Sequence, residues 1–566
     1  MDKRSLIGFL LILIILVLWP YWNKLFLPQQ EETSPQQQEE TTVRPEKHDT
    51  LYQEPVGAYQ KHIKPQVEIS HPVGKPDIPE KLINVETEDF IAVFSSYGGL
   101  LKSIQLKKYF IENGPAGDSL VHLIGPPQSS PWQAMGALTL SVEDSLHYIN
   151  YLPFTVDGGD IYLTDGDEPK SLSFIYDNPD GASIIKEYTF MPTGYDFKFS
   201  LTINDPPAFG FVDKLTIGWL MPSIPTEKNL KDDLDKFAAF SNMAGEVEEF
   251  KKLEKGKLHR SLTGNNLWVA VRSKYFTNII ISDDKQGDEI LIVGNESSIT
   301  DINSKQHKWK KFGVGMTFKL DDNSYSNNFT IYTGPLDYQI LQKMGHNLGK
   351  LVDMGWSVFR PFAIAILWIF IQFHKFLLNY GLVIIIFSIL MKVVFWPLTR
   401  KSATSMHKMK ELQPKIQEIK AKYKDDPQRL NTETMRLYKE YGVNPFGSCL
   451  PLFIQMPIFI SMWAVLRNSI ELRAAEFVFW ITDLSQKDQY YVLPIVMGIS
   501  MFFQQKMTIT DPKQKMMIYL MPVFFTIFFA GLPSGLILYW TVFNVAGIFE
   551  QLRIKRKMEA EKKANA

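Results

Sequence analysis

The apolar residues of this chain are concentrated in one stretch, and this concentration constrains the fold more than any other feature. Residues 356–551 carry most of the long aliphatic and aromatic runs, whereas residues 27–80 are rich in Gln, Glu and Pro. The average composition of the chain does not show this uneven distribution, because 45% apolar and 21% charged residues are ordinary for a globular protein. The pattern predicts a membrane protein with a large water-soluble insert.

The first apolar run, residues 6–22, is long enough to cross a slightly thin bilayer at about 1.5 Å per residue. A cleaved secretory signal is the alternative, but its apolar region is shorter and small residues follow it. Here Trp19-Pro20-Tyr21-Trp22 closes the run, as in an aromatic belt. We predict an uncleaved anchor over residues 1–24, with Lys3 and Arg4 holding the N-terminus in the cytoplasm, and a disordered extracytoplasmic tether over residues 25–80.

Short alternating runs separated by Gly, Asn, Asp and Pro fill residues 81–335. They include residues 90–94, 188–190, 197–203, 267–271 and 329–332. Many short strands with little helical periodicity predict a β-sandwich. Cys449 is the single cysteine, so this domain has no disulfide and must rely on its own core; Cys449 itself is predicted to be an apolar packing residue.

The sequence lacks the common catalytic and cofactor-binding motifs. It contains no Walker loop, no strand-linked GxGxxG, no HExxH, no GxSxG and no Cys/His cluster. We therefore predict no catalytic residues, no cofactor and no metal. Sugar-handling enzymes also use large β-sandwiches, so a sugar-binding role for this domain stays open. The net charge of −1 gives no indication of DNA binding.

Residues 336–378 are predicted to form amphipathic or interfacial helices. Leu336, Ile340, Met344, Leu348 and Val352 recur at intervals of four, which places them on one helix face. Residues 362–373 are apolar but too few to cross a bilayer, and two spans within 356–395 are the alternative. The predicted spans after the anchor are residues 380–398, 446–466, 490–505, 516–532 and 536–549.

The distribution of charge decides whether residues 356–395 contain one span or two. Residues 400–445 carry a net charge of +5 and residues 552–566 carry +4. Six spans put both segments in the cytoplasm with the N-terminus, as the positive-inside rule requires. The predicted order is completed by a second transmembrane helix at 379–398, a cytoplasmic helical hairpin at 399–445, transmembrane helices three to six at 446–551 and a basic tail at 552–566.

Polar residues inside the predicted spans are the candidate functional residues. Lys392 lies about 9 Å from the cytoplasmic end of its span, while Gln455, Gln504 and Gln505 lie at similar depth on others. A charge deep in a bilayer costs at least about 2.5–3.5 kcal/mol. Lys392 either snorkels to the headgroups or faces a wet, positively charged cavity open to the cytoplasm, and the sequence gives both equal weight.

Several long strings, in order along the chain, resemble the YidC family of membrane protein insertases, relatives of the mitochondrial Oxa and chloroplast Alb proteins. The resemblance covers essentially the whole chain, and the anchor with a β-sandwich resembles the Gram-negative form. The matching strings are Asn379-Tyr380-Gly381, Pro397-Leu398-Thr399, Leu412-Gln413-Pro414-Lys415, Val443-Asn444-Pro445-Phe446-Gly447-Ser448-Cys449-Leu450-Pro451, Gln455-Met456-Pro457-Ile458-Phe459, Trp480-Ile481-Thr482-Asp483-Leu484-Ser485 and Pro533-Ser534-Gly535-Leu536-Ile537-Leu538-Tyr539-Trp540.

The resemblance implies an insertase and chaperone without catalytic turnover. It implies a multi-pass protein of the bacterial inner membrane with a periplasmic sandwich, in which five helices form a groove open to the cytoplasm and to lipid. Its implied partners are nascent membrane proteins, the Sec translocon (SecYEG and SecDF), the ribosome and the lipid bilayer. The family's usual groove arginine is Lys392 here, which keeps the charge but loses the planar fork. The positions implied to line the substrate path are Ser388, Pro457, Met497, Tyr539 and Trp540.

Two other classes of function remain possible from the residues alone. A secondary transporter could couple Lys392 to ions, although the inverted repeats that often accompany transport are not visible. A periplasmic sugar-binding protein would use the sandwich as its active part.

Overall fold

A computed structural model describes the chain between residues 78 and 564, with short gaps. The described ranges are 78–114, 117–125, 138–142, 145–146, 148–211, 213–220, 224–300, 304–320, 324–424, 426–442, 450–508 and 515–564. The predicted anchor, nearly all of the tether, Cys449 and the start of the predicted span 446–466 lie outside these ranges.

The alternating runs form strands, as predicted. In chain order the strands are β1 (Leu82–Glu86), β2 (Phe90–Ser95), β3 (Leu100–Gly114), β4 (Gly117–Ile124), β5 (Leu138–Val142), β6 (Ser145–Leu146), β7 (Thr155–Asp157), β8 (Ile161–Tyr162), β9 (Lys170–Asp177), β10 (Ser183–Phe190), β11 (Asp196–Asn204), β12 (Lys214–Trp219), β13 (Ala238–Met243), β14 (Glu246–Phe250), β15 (Lys257–Arg272), β16 (Phe276–Ser282), β17 (Gly287–Thr300), β18 (Gln306–Lys319) and β19 (Ser324–Pro335).

Two sheets make up this β-domain, our name for residues 81–335. The smaller sheet has the order β4-β3-β2-β1-β8, and the larger runs β6-β5-β12-β18-β17-β15-β16-β19-β11-β10-β9-β7, with β13 and β14 branching from β15. Neighbouring strands pair antiparallel except β1 and β8, which are parallel. Strand β11 shows why the sequence folds this way, because its buried and partly exposed side chains alternate with period two.

Aromatic side chains fill the space between the two sheets. Phe94 of β2 lies 4.7 Å from the Tyr188 ring of β10, measured between ring centroids, and 5.6 Å from that of Phe190. Phe199 of β11 stacks on Tyr188 at 4.8 Å and on Phe329 of β19 at 5.8 Å. These contacts bring both sheets onto one core, which makes the β-domain a sandwich.

Helices dominate the remainder of the described chain. In chain order they are α1 (Leu230–Leu234, within the β-domain), α2 (Tyr338–Met344), α3 (Arg360–Leu377), α4 (Tyr380–Glu411), α5 (Gln413–Lys422), α6 (Pro427–Glu440), α7 (Leu450–Asn468), α8 (Val492–Thr508), α9 (Lys515–Phe529) and α10 (Ser534–Ala564). Helix α10 packs against α4, α7 and α8, while α3 packs against α4 and α7. Helices α5 and α6 pack on each other through Leu412, Ile416 and Leu437.

Three of the described helices are long and apolar enough to cross a membrane, namely residues 360–377, 380–400 and 534–557, and residues 518–529 form a shorter apolar helix. The six-span count therefore stays a prediction. Helix α3 has 18 residues rather than the twelve of the predicted segment 362–373, because it begins at Arg360 and continues through His374 and Lys375 to Leu377. Its length alone thus permits a crossing.

Helix boundaries differ from expectation on both sides of α3. The stripe from Leu336 to Val352 is not one helix, because Gly345, His346 and Asn347 have positive φ angles that end α2. The predicted end of the next span is Leu398, yet α4 continues without a break to Glu411 despite Pro397. A proline removes one backbone hydrogen bond and tends to kink a helix, but it does not by itself end one.

Candidate functional site

Three polar residues in the apolar part of α4 lie on one face of that helix. Ser388 and Lys392 are separated by four residues and Thr399 follows seven residues later, so all three share a side of the helix. Ser388 is fully buried, and its hydroxyl donates a 2.6 Å hydrogen bond to the carbonyl oxygen of Ile384. The side chain of Lys392 is only 12% exposed.

The face of α10 that meets Lys392 carries a complementary charge. The Lys392 ammonium lies 2.8 Å from Oε2 of Glu550, whose side chain is 9% exposed. Oε1 of the same carboxylate accepts a 2.7 Å hydrogen bond from the Thr399 hydroxyl. Phe543, seven residues before Glu550, places its ring centroid 4.7 Å from the ammonium. Contacts with a carboxylate and a ring thus direct the lysine into the helix bundle, and this geometry favours the interior alternative over snorkelling.

Helix α8 completes the polar region. A Cβ atom built on Gly547 of α10 would lie 3.4 Å from the Lys392 ammonium and 2.8 Å from Nε2 of Gln504, so the glutamine and the lysine flank the same bare stretch of α10. Nearby, Nδ2 of Asn544 donates a 3.3 Å hydrogen bond to the Ser500 hydroxyl. We call these six residues the polar seam: Lys392, Thr399, Ser500, Gln504, Asn544 and Glu550.

The other predicted groove residues form a more apolar group. Met497 and Tyr539 are fully buried, and Met497 packs with Phe529 and Ile537. The Trp540 ring lies 5.2 Å from that of Phe459, edge to face. Pro457 lies inside α7 and is half-buried. Met497, Tyr539 and Trp540 lie on α8 and α10, the helices that also carry part of the polar seam. The group as a whole consists mainly of aromatic rings and apolar side chains.

Three polar atoms in this region are buried without a hydrogen-bond partner among the described residues: Nε2 of Gln455, Oε1 of Gln505 and the hydroxyl of Tyr539. The Tyr539 hydroxyl faces the Gln455 side chain, although it does not reach hydrogen-bond geometry. Buried polar groups without partners are rare, because each costs about 1–3 kcal/mol. Water or a polar group of another chain would satisfy them, so the region is suited to receiving polar groups.

Sequence reasoning missed the negative half of the seam. The pattern does not single out Glu550, because the last predicted span ends at residue 549, and it also passed over Asn544 within that span. Helix α10 instead runs on to Ala564. An acidic residue at the same end of one span as a lysine on another would have been the signal, since opposite charges in apolar surroundings usually pair. No group of three His, Cys, Asp or Glu side chains within the described ranges could hold a metal ion.

Comparison with known proteins places the chain in a family. The family model described as the YidC periplasmic domain matches residues 82–369, and the model described as 60Kd inner membrane protein matches residues 372–562. A solved structure described as an active YidC insertase crystal structure with the first transmembrane domain resolved aligns with 84% of this chain and 93% of its own, at 18% identity and a TM-score of 0.36.

Curated relatives are similar over nearly their whole length. The membrane protein insertase YidC of Prosthecochloris aestuarii is 32% identical, covering 98% of this chain and 95% of its own length. That of Geobacter metallireducens is 33% identical over 99% of each chain. With both halves matched by family models and full-length relatives above 30% identity, the chain belongs to the YidC family of membrane protein insertases.

Proposed function

We propose that this protein transfers hydrophobic segments of nascent proteins from the cytoplasm into the bacterial inner membrane through the polar seam, and that it aids their folding. The YidC family is non-enzymatic, so the task is transfer without a chemical reaction. The observation that carries the proposal is the inward direction of Lys392, whose ammonium meets Glu550 and Phe543 inside the helix bundle.

The physical problem is the extracytoplasmic tail of the substrate. Its polar backbone and side-chain groups cost several kcal/mol each in hydrocarbon when nothing satisfies them. The polar seam and the unpartnered atoms of Gln455, Gln505 and Tyr539 offer hydrogen-bond partners inside an otherwise apolar bundle. A tail that passes along these groups travels a shorter distance without polar partners.

Three contributions then give the transfer its direction. Lys392 attracts acidic residues of the tail, and the attraction is stronger in low-dielectric surroundings than in water. The apolar segment that follows gains about 25 cal/mol for each Å² that it buries in lipid, which drives its release from the protein. The membrane potential assists when the tail is acidic and crosses toward the positive side.

The partners and orientation proposed here follow from the family and from charge. The basic segments 400–445 and 552–566 are proposed to lie in the cytoplasm, where they meet anionic lipid headgroups or the ribosome. The β-domain is then periplasmic. Nascent membrane proteins are the substrates, and the Sec translocon is the proposed partner for those that the protein does not insert alone.

Insertion into liposomes tests the proposal. The full-length protein is reconstituted without other proteins, and a single-span substrate is translated with either an acidic or a neutral tail. Protection of the tail from external protease reports insertion. We expect the wild type and Lys392→Arg to insert both substrates, and Lys392→Leu to lose most insertion of the acidic tail. Lys392→Leu/Glu550→Gln leaves no unpaired charge. It is expected to insert the substrate with the neutral tail, and to insert the substrate with the acidic tail no better than the neutral one.

A matched control is Lys506→Leu, because Lys506 is a lysine at the end of α8 and lies outside the polar seam. It is expected to insert both substrates as the wild type does. No protection above that in empty liposomes would contradict the proposed function. Equal insertion of the acidic tail by Lys392→Leu and by the wild type would remove Lys392 from the mechanism.

A further inference from the structure

The proposed function treats Lys392 as an attractive cation, yet this cation already has a partner. Its ammonium is 2.8 Å from Glu550, and both side chains are nearly excluded from solvent. The second oxygen of the carboxylate is occupied by Thr399 at 2.7 Å. Glu550 is therefore held in place from two sides, and the closed pair presents almost no net charge to an approaching tail.

The pair is arranged so that another carboxylate could reach the lysine. An ammonium has three donor hydrogens, and the described contacts of Lys392 are one carboxylate oxygen and the face of Phe543. Gly547 has no side chain, and the position that its Cβ atom would take lies 3.4 Å from the ammonium and 2.8 Å from Nε2 of Gln504, so on this side only the end of the Gln504 side chain adjoins the lysine. The ammonium thus retains donor capacity, and no side chain of residue 547 covers it.

We propose that Glu550 is a specificity-determining residue, an internal counter-ion that an acidic residue of the incoming segment displaces from Lys392. This inference rests on the proposed function. The exchange replaces one ion pair with another, so it avoids the cost of leaving a buried charge unpaired. Glu550 repels acidic tails that arrive while the pair is closed, and it re-forms the pair when the tail leaves. It thereby weakens capture and speeds release.

Replacement of the carboxylate by its amide tests this role with little change in shape. Glu550→Gln still accepts a hydrogen bond from Thr399 but carries no charge. In full-length protein reconstituted into liposomes, we compare photocrosslinking of stalled nascent chains that differ only in an acidic or a neutral tail. The ratio of acidic to neutral crosslinking is expected to rise on the order of tenfold. Release of the acidic substrate into lipid is expected to slow.

Two controls isolate the effect of charge at this position. Glu550→Asp keeps the carboxylate and is expected to keep a ratio close to that of the wild type. Glu559→Gln makes the same chemical change on the same helix at a side chain that is 59% exposed, and it is expected to leave the ratio unchanged. Lys392→Met/Glu550→Gln has neither charge, so its ratio is expected to fall to about one.

The outcomes distinguish failure of the counter-ion role from failure of the proposed function. An unchanged or lower ratio with Glu550→Gln overturns the counter-ion role. Loss of both substrates with Glu550→Gln, restored equally by Lys392→Met/Glu550→Gln, would show that Glu550 serves only to stabilise Lys392, and it also overturns the role. Failure of the proposed function looks different, because the wild type would then insert neither substrate above the level of empty liposomes.

Discussion

The guanidinium of Arg473 lies 2.8 Å from the carboxylate of Glu227, and both side chains are 8% exposed. Arg473 follows α7 in the helical bundle, whereas Glu227 precedes α1 in the β-domain. The contact is reinforced nearby, because Lys274 of the β-domain lies 2.6 Å from Asp232, which also pairs with Arg467 at the end of α7. The buried pair Arg473–Glu227 and the partly exposed pair Arg467–Asp232 thus hold the β-domain on the helical bundle.

Removal of Arg473 should loosen this attachment. Arg473→Met leaves Glu227 buried without its partner, and breaking a buried pair costs about 3–5 kcal/mol. Hydrogen exchange of α1 and β16 in the full-length protein in detergent measures the loss. Burial raises the pKa of Glu227 to about 7. Loss of Arg473, which lowers this pKa, raises it further, and a carboxyl with a raised folded pKa loses stability as the pH rises from its ordinary value of 4.5 toward the raised one, so the variant should be less stable at pH 8 than at pH 5.5.

Arg436→Met provides the control for the loss of an arginine. Arg436 lies in α6, is 74% exposed and reaches Glu433 only at 3.9 Å. Exposed pairs contribute about 0–1 kcal/mol, so exchange in the β-domain should not change. Equal exchange in Arg473→Met and the wild type at both pH values would contradict the role of the ion pair.

A buried lysine makes the stability of the β-domain depend on pH. Lys186 of β10 is 2% exposed, donates a 2.6 Å hydrogen bond to the carbonyl oxygen of Gly98, and has its pKa lowered to about 7 by burial. Between pH 7 and about 10.5 the unfolded state binds a proton that the folded state does not. The free energy of unfolding should therefore rise by about 1.4 kcal/mol per pH unit in this window.

Lys186→Met should remove that slope and stabilise the domain near neutral pH. Hydrogen exchange of β9, β10 and β11, corrected for intrinsic rates at pH 7 and pH 9, measures it in the full-length protein. Lys198→Met is a matched control on the adjacent strand β11, because Lys198 is 54% exposed. The prediction fails if the two variants show the same difference between the two pH values.

Gly547 should be intolerant of a side chain. A Cβ atom at this position would meet Nε2 of Gln504 at 2.8 Å and the Lys392 ammonium at 3.4 Å, so a larger group must displace the polar seam. We expect Gly547→Leu to reduce insertion of acidic-tailed substrates in liposomes more than that of neutral ones. Gly531→Leu is the control, since a Cβ atom placed there would meet nothing within 4 Å. Equal effects of the two variants would contradict the prediction.

Deletion of residues 83–330 separates the insertase function from a sugar-binding function of the β-domain. The polar seam lies wholly in α4, α8 and α10, so we expect the truncated protein to restore growth of an insertase-depleted strain. The amount of truncated protein in the cells should be lower than that of the full chain, because Arg473 and Arg467 lose their buried partners. The full chain and an empty vector complete the comparison. No restoration at normal amounts of the truncated protein would instead favour the β-domain as the active part.

The strands were predictable from sequence because each depends on local alternation. The runs at 197–203 and 329–332 lie in β11 and β19, where Phe199 pairs with Phe329. The order of the larger sheet was not predictable, since pairing β12 with β18 joins residues about one hundred positions apart. Helix ends were missed where a local signal does not stop the helix, as at Pro397, through which α4 continues.

The candidate site was half predictable for a related reason. Lys392, Gln455, Gln504 and Gln505 stood out because polar residues within apolar runs are conspicuous. Glu550 did not, because it follows an apolar run at its boundary and precedes a charged tail. Only the packing of α10 against α4 brings it to Lys392. A contact between distant spans is a property of the fold, and no local pattern records it.

Helix α10 runs unbroken from Ser534 to Ala564, a rod of 31 residues and about 46 Å. Tyr539, Glu550 and the lysine-rich residues after Arg553 are consequently parts of one continuous helix. A protein or surface that binds those lysine-rich residues therefore also sets the orientation of the Glu550 carboxylate relative to α4. A force applied to the helix outside the bundle is transmitted to the interior of the bundle.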